Sequence, residues 1–240
     1  MSEYRRPPIQ PLVFFDEDGQ VINYGSRWEG SPPEDSYSVT DHPERFQPVQ
    51  TIADALIEYL TDVYEVEVTE GEAAQQALVP HEFYVPDPEQ TTRMVGLTPG
   101  DRDCSPVTFI YTNYPSVQVL AGAFASFGYP SCGCDACDET WESCADEMEG
   151  DVFAIVNGGF EECVKLSRRR GVSYQRGVGL EVGMGRAYGW SLTTRDSKKG
   201  SQSDASNVPR TTLEAIHRRL EALAQSTPNG AWKAWPKRGN

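Results

Sequence analysis

The stretch VTFIYTNYPSVQVLAGAF, Val107–Phe124, decides the fold. Two runs rich in β-branched and aromatic residues meet at Pro115-Ser116, a connection that suits a tight turn between antiparallel strands. TRMVGL, Thr92–Leu97, reads as another strand just upstream, and EVEVTEG, from Glu65, alternates as a strand should. Near the start, LVFFDEDGQVINYG holds two apolar runs about Asp18-Gly19, where glycine accepts the positive φ of a hairpin turn. Connections this short imply a hairpin-rich, mostly antiparallel sheet, and hence an α+β fold.

Two or three helices are expected to cover that sheet. In TIADALIEYLTDVY, Ile52, Leu56, Tyr59, Leu60 and Val63 fall on one stripe at helical spacing, with Thr51 as the expected cap. After the cysteine-rich segment, apolar residues from Trp141 to Leu166 step by three or four, which predicts one long helix from about Asp138 to Leu166, interrupted by Gly158-Gly159 as a kink or a close approach to the sheet. PRTTLEAIHRRLEALAQS predicts a further amphipathic helix with Leu213, Ile216, Leu220 and Leu223 inward. WSLTTR and SQSDASN read as a hairpin around DSKKG, and SRWEGSPPEDSYSVTDHPERFQP as a long surface loop. The tryptophans of the terminal AWKAWPKRGN are expected to pack back onto the domain, since exposed they would form a large apolar patch. The whole chain, 1–240, is read as a single α+β domain.

The charge is unevenly laid out. Residues 1–164 carry six Lys and Arg against thirty-one Asp and Glu, a balance of −25, whereas residues 165–240 carry fifteen against five, a balance of +10. The basic segment is expected to be held partly by attraction to the acidic one, within one chain or between two. The sharper reading is a patch of Arg168, Arg169, Arg170, Lys198, Lys199, Arg218 and Arg219 that meets an anionic partner. A net charge of −15 disfavours non-specific DNA binding. No run is long enough to span a bilayer, and the proline-rich start does not read as a signal peptide, so a cytoplasmic location is expected. There thiols stay reduced.

SCGCDACDETWESC, Ser131–Cys144, holds four of the six cysteines. Cys132, Cys134 and Cys137 follow a C-x-C-x-x-C spacing, and thiolates converging from a tight turn are what zinc requires. Cys144 lies about two helical turns, roughly 10 Å, beyond Cys137 if the helix starts near Asp138, too far for a fourth ligand. Asp135, Cys104, His42 or His81 would have to supply it. The competing reading makes the segment a helix-entry device: Gly133 turns the chain, Asp138 caps the helix, and the cysteines are small packed residues. A thioredoxin-type redox role fits poorly beside an antiparallel sheet. The rest of the sequence nominates no catalytic residue. Its three histidines form no metalloprotease motif, no nucleophile elbow appears, and GVGLEVGMG is neither a dinucleotide fingerprint nor a P-loop.

Several stretches together, DEDGQVINYGSRW, SPPEDSYSVTDHPERFQP, TIADALIEYL, CGCDACDETWES and AWKAWP, resemble an uncharacterised family of actinobacterial cytosolic proteins, a domain of unknown function. The resemblance covers nearly the whole chain. It implies that the cysteine loop belongs to the architecture of the domain, and it brings no catalytic residues with it. The leading expectation is a non-enzymatic cytosolic binding or interaction module without a cofactor, whose partner is a protein or an anionic small molecule, in a chain that could form oligomers. The alternative is a zinc-binding protein or metalloenzyme that uses the Cys132, Cys134 and Cys137 loop.

Overall fold

The computed structural model describes residues 3–77, 87–168, 184–194, 197–204, 210–227 and 230–239. Its centre is a five-stranded antiparallel sheet in the order β3-β4-β5-β6-β7, formed by β3 (Val66–Glu70), β4 (Thr91–Pro99), β5 (Val107–Thr112), β6 (Val117–Ala121) and β7 (Ala125–Tyr129). The hairpin expected at Pro115-Ser116 is present, with Tyr111 opposite Val117. The run that follows was expected to continue to Phe124 as one strand. It turns instead at Gly122, whose φ of +64° glycine adopts without strain, and returns as β7.

Every residue of β5 is buried, so both faces of the sheet are covered. Val107, Phe109 and Tyr111 join the main core with α1 (Gln47–Val63) and α3 (Trp141–Val156). Ile110 faces the other way, onto Met94, Leu120 and Ala74 of the short α2 (Gly71–Ala77). The helix α1 begins five residues earlier than a cap at Thr51 would place it. A 3-10 turn, Pro43–Phe46, runs straight into it, and Pro48 sits in its first turn, where a missing N–H costs nothing.

The long helix after the cysteine loop differs from its expected extent. It ends at Val156, and the residues from Phe160 to Arg168 form strand β8. Gly158, at φ +82°, closes the helix, and a Cβ there would lie 2.9 Å from the backbone nitrogen of Ala234. A Cβ on Gly159 would lie 2.4 Å from the Thr193 carbonyl oxygen. The glycine pair therefore marks a close approach of chains, and the apolar spacing that continued past it belonged to a strand buried through Phe160. β8 pairs with β9 (Met184–Thr193), and β9 with β10 (Lys198–Asp204), giving a second antiparallel sheet; the hairpin expected around DSKKG is present, but Lys198–Gly200 of that run already pair in β10. Edge-to-face rings join the two sheets, Phe124 on Tyr188 and Phe127 on Trp190. Phe14–Phe15 and Val21–Ile22 pair as the small hairpin β1–β2, with Gly19 at φ +73°.

The helix α4 (Arg210–Ser226) buries Leu213, Ile216, Leu220 and Leu223 as its spacing predicts. The C-terminal tryptophans pack inward: Trp232 is 2% and Trp235 3% exposed. Their backbone N–H groups donate to the carbonyls of Phe160 (2.9 Å) and Val156 (2.8 Å), so the tail stitches α3 to β8. Among the described residues, ion pairs join the basic segment to the acidic one at Lys199 and at Lys233. Lys199 pairs with Glu147 (2.7 Å) and Asp151 (2.6 Å), and Lys233 with Asp103 (2.6 Å).

Candidate metal centre

β7 is an edge strand, and from its end the chain leaves the sheet through Pro130 into the cysteine loop. A 3-10 turn, Asp135–Cys137, follows, with the Cys137 N–H donating to the Cys134 carbonyl at 3.2 Å. Asp138, at φ +50°, reverses the chain. The helix α3 is then capped by Thr140, not by Asp138 as the sequence suggested. The Ser143 N–H donates to Thr140 Oγ1 at 3.1 Å, and the Thr140 N–H donates to Ser143 Oγ at 3.2 Å. This reciprocal pair satisfies two helix-end donors, whereas Asp138 turns its Oδ2 to the backbone N–H of Arg27 at 2.8 Å. Gly133 also has a different role from the expected one. Its φ is ordinary, but a Cβ there would lie 1.8 Å from the Tyr114 hydroxyl oxygen, so any side chain at this position would have to displace Tyr114.

The loop is fastened to the N-terminal segment, far away in sequence. Asp135, 1% exposed, is the fixing point. Its carboxylate accepts from Arg27 Nη1 at 2.9 Å and from the Asp41 N–H at 3.2 Å, with Arg45 Nη1 at 3.5 Å. Its backbone N–H donates to the Val39 carbonyl, and its own carbonyl accepts from Trp28 Nε1. Arg45, also buried, donates from Nη2 to the Gly133 carbonyl at 3.0 Å and stacks on the rings of Tyr24 and Phe46. On the outer side Glu139 accepts from Ser131 Oγ (2.5 Å) and the Cys132 N–H (2.9 Å). The backbone between Ser131 and Asp138 is thus held from both ends.

What this scaffold presents is sulfur. Cys132 Sγ lies 3.2 Å from Cys134 Sγ, Cys134 Sγ lies 3.4 Å from Cys137 Sγ, and all three fall within 4.8 Å of one another. Zinc–sulfur bonds of about 2.3 Å in a tetrahedron place sulfurs about 3.8 Å apart, so the trio fits around one such ion with small adjustments. Cys132 and Cys137 are exposed and Cys134 is half-buried, so the cluster opens to solvent. The hydrogen bond from Cys132 lowers the pKa of Cys134. The two neighbouring sulfurs push Cys137 the other way, up to about 12. A full set of thiolates therefore needs a cation at the centre.

Three of the four expected sources of a fourth ligand, Asp135, Cys104 and His42, are engaged by other groups. The carboxylate of Asp135 serves Arg27 and Arg45. Cys104 donates to the Ala234 carbonyl at 3.3 Å beneath the C-terminal tail. His42 bonds through Nδ1 to Glu44 (3.0 Å) and through Nε2 to the Phe15 carbonyl (3.1 Å). His81 lies outside the described residues, as do Arg169, Arg170 and most of the glycine-rich run that ends at Gly185. Cys144 is buried in the apolar stripe of α3, as its position in the sequence suggested.

Of the expected basic patch, the side chains of Arg168, Arg169 and Arg170 lie outside the described ones. Lys199 lies over α3 at the edge of a groove of about 1030 Å³, bound to Glu147 and Asp151, while Arg219 turns toward Trp232 on α4. Asp151 itself is 2% exposed and accepts from the Tyr129 hydroxyl at 2.5 Å, and burial raises its pKa. Sequence reasoning missed Arg27, Arg45 and the fixing role of Asp135, whose partners are about a hundred residues away. The Thr140-x-x-Ser143 cap just before an apolar run was readable.

Fold and site together define an α+β protein that presents an open three-thiol cluster on the edge of an antiparallel sheet. The chain belongs to a family of unknown function (DUF6226), whose model matches residues 10–239. No curated protein matches the chain, and no solved structure does. Among the described residues no helix is long and apolar enough to cross a membrane.

Proposed function

We propose that the protein is a cytosolic binding module whose cysteine loop holds one thiophilic metal ion, zinc before others, through Cys132, Cys134 and Cys137. The observation that carries this reading is the convergence of three sulfurs within 4.8 Å on a loop whose backbone is otherwise tied down. Thiolates favour zinc and other soft ions over magnesium or calcium, whose ligands are oxygens. With three protein ligands, a tetrahedral ion keeps one position open, to water or to an anionic donor carried by a partner. The free state of all six cysteines accords with a reducing compartment. One core that runs from α1 through both sheets to Trp235 supports reading 1–240 as one domain.

Native mass spectrometry of the protein purified without chelator, then supplied with equimolar zinc, tests the reading. One zinc per chain is expected in the wild type, and none in the variant with Cys132, Cys134 and Cys137 all replaced by serine. A wild type that returns metal-free from equimolar zinc would contradict it.

A further inference from the structure

A cavity of about 580 Å³ lies away from the cysteine loop, between the β4–β5 connection, α4 and the C-terminal tail. Its walls are largely apolar, including Pro99, Pro106, Leu223 and Trp232. Into this surface α4 sends Arg219, whose guanidinium carbon sits 5.4 Å from the centre of the Trp232 ring. The Nε of Arg219 is buried without a hydrogen-bond partner, and no carboxylate pairs with this arginine among the described residues. A buried polar donor left unpaired costs about 1–3 kcal/mol, and more when it is charged.

Carboxylates do stand nearby, but each is engaged. Glu162, whose charge reaches Arg219 across Trp232, accepts from the N–H groups of Ala123, Phe124 and Ala125 and from Trp232 Nε1. Asp103, on the rim, binds Lys233 and the Ser226 hydroxyl, and Asp101 lies 3.7 Å from the same lysine. Arg219 thus lines the cavity as a cation with no carboxylate bound to it among the described residues.

We propose that this cavity binds a small organic carboxylate, its carboxylate on the free edge of the Arg219 guanidinium and its apolar body against Trp232, Leu223 and the two prolines. Stacking on an indole leaves the N–H edge of a guanidinium available, and that edge matches a carboxylate with two parallel hydrogen bonds. Phosphate has no apolar body to set against Trp232 and Leu223, and on the rim Asp101 and Asp103 are balanced by Arg102 and Lys233, so apolar contact, not rim charge, favours the organic carboxylate.

Ligand-observed NMR on the full chain tests this with benzoate, its neutral counterpart benzyl alcohol, and inorganic phosphate as probes. The wild type should bind benzoate at least about tenfold more tightly than benzyl alcohol or phosphate. Arg219→Met should erase that preference while leaving zinc stoichiometry unchanged, which separates this site from the cysteine loop. Should Arg219→Met fail to fold, Ala222→Phe keeps the guanidinium and fills the mouth of the cavity from an exposed helix position, and it should abolish benzoate binding. Absence of benzoate binding in the wild type would overturn the proposal. So would phosphate binding as tightly as benzoate, or benzoate affinity unchanged by either substitution.

Discussion

The nest around Glu162 and the loop around Cys134 solve opposite problems. At Glu162 four N–H donors converge on one fully buried carboxylate, two from the turn between β6 and β7, one from the first residue of β7 and one from Trp232. The anion is inside, its ligands are complete, and the site is closed. At Cys134 three sulfur acceptors converge at the surface, and the cluster is open. A closed cluster joins pieces of the fold. An open one, held by scaffolding but not completed by it, is where a ligand belongs.

The closed region should be the more sensitive to removal. Truncation after Gly230 deletes Trp232 and Trp235, and a buried tryptophan alone is worth about 3–5 kcal/mol against alanine. The truncated chain is therefore expected to fall below the stability needed to fold, as near-ultraviolet circular dichroism would report. A cooperative melt at the wild-type temperature would show that the tail is dispensable.

Glu162→Ala should cost roughly 3–5 kcal/mol in urea denaturation, since it leaves buried donors without an acceptor. A loss under 1 kcal/mol would mean that water or a neighbour replaces the carboxylate. Burial pushes the pKa of Glu162 up to about 7 against the pull of its four donors. The folded state then holds this proton more tightly than the unfolded chain does. Its contribution to stability is full below the ordinary carboxylate value of 4.5 and declines as pH rises toward about 7. Relative to Glu162→Gln, the wild type should lose stability across that window, and parallel curves would assign the site a pKa near the ordinary one.

On the open side, Asp135→Ala releases Arg27 and Arg45 from a buried carboxylate and should cost about 3 kcal/mol. It should also weaken zinc binding, because the loop loses its fixing point. A variant destabilised yet with unchanged zinc affinity would show that the sulfurs converge without that support. The smallest effect belongs to the helix start. Thr140→Ala should cost about 1 kcal/mol, while Asp138→Ala should not show a helix-cap loss, which reverses the assignment that the sequence suggested.

The sheet was legible because its strands are short, alternating and joined by turn residues, so the pattern is local. The helix after the cysteine loop was legible at its start and misread at its end. Cys163 and Leu166 continue a three-and-four step that a strand satisfies by chance, and only the contacts of Gly158 with Ala234 and Gly159 with Thr193 show why the helix must stop. The thiols of the loop could be named from spacing alone. Arg27, Arg45 and Asp135 could not be joined to one another, because their bonds span about a hundred residues and leave no periodic trace. Arg219 carried a signal in the sequence only as one of several basic residues. Its place over Trp232 is a property of the fold.

The most direct test of the open cluster replaces zinc by cobalt(II), which reports thiolate ligation through sulfur-to-metal charge-transfer absorption. Titration into the reduced wild type should develop that band to saturation at one equivalent, and equimolar zinc should bleach it. Serine at Cys134, the central sulfur, should abolish the band. A wild type that binds cobalt without the charge-transfer band, or a Cys134→Ser variant that keeps it in full, would contradict a metal held by these three sulfurs.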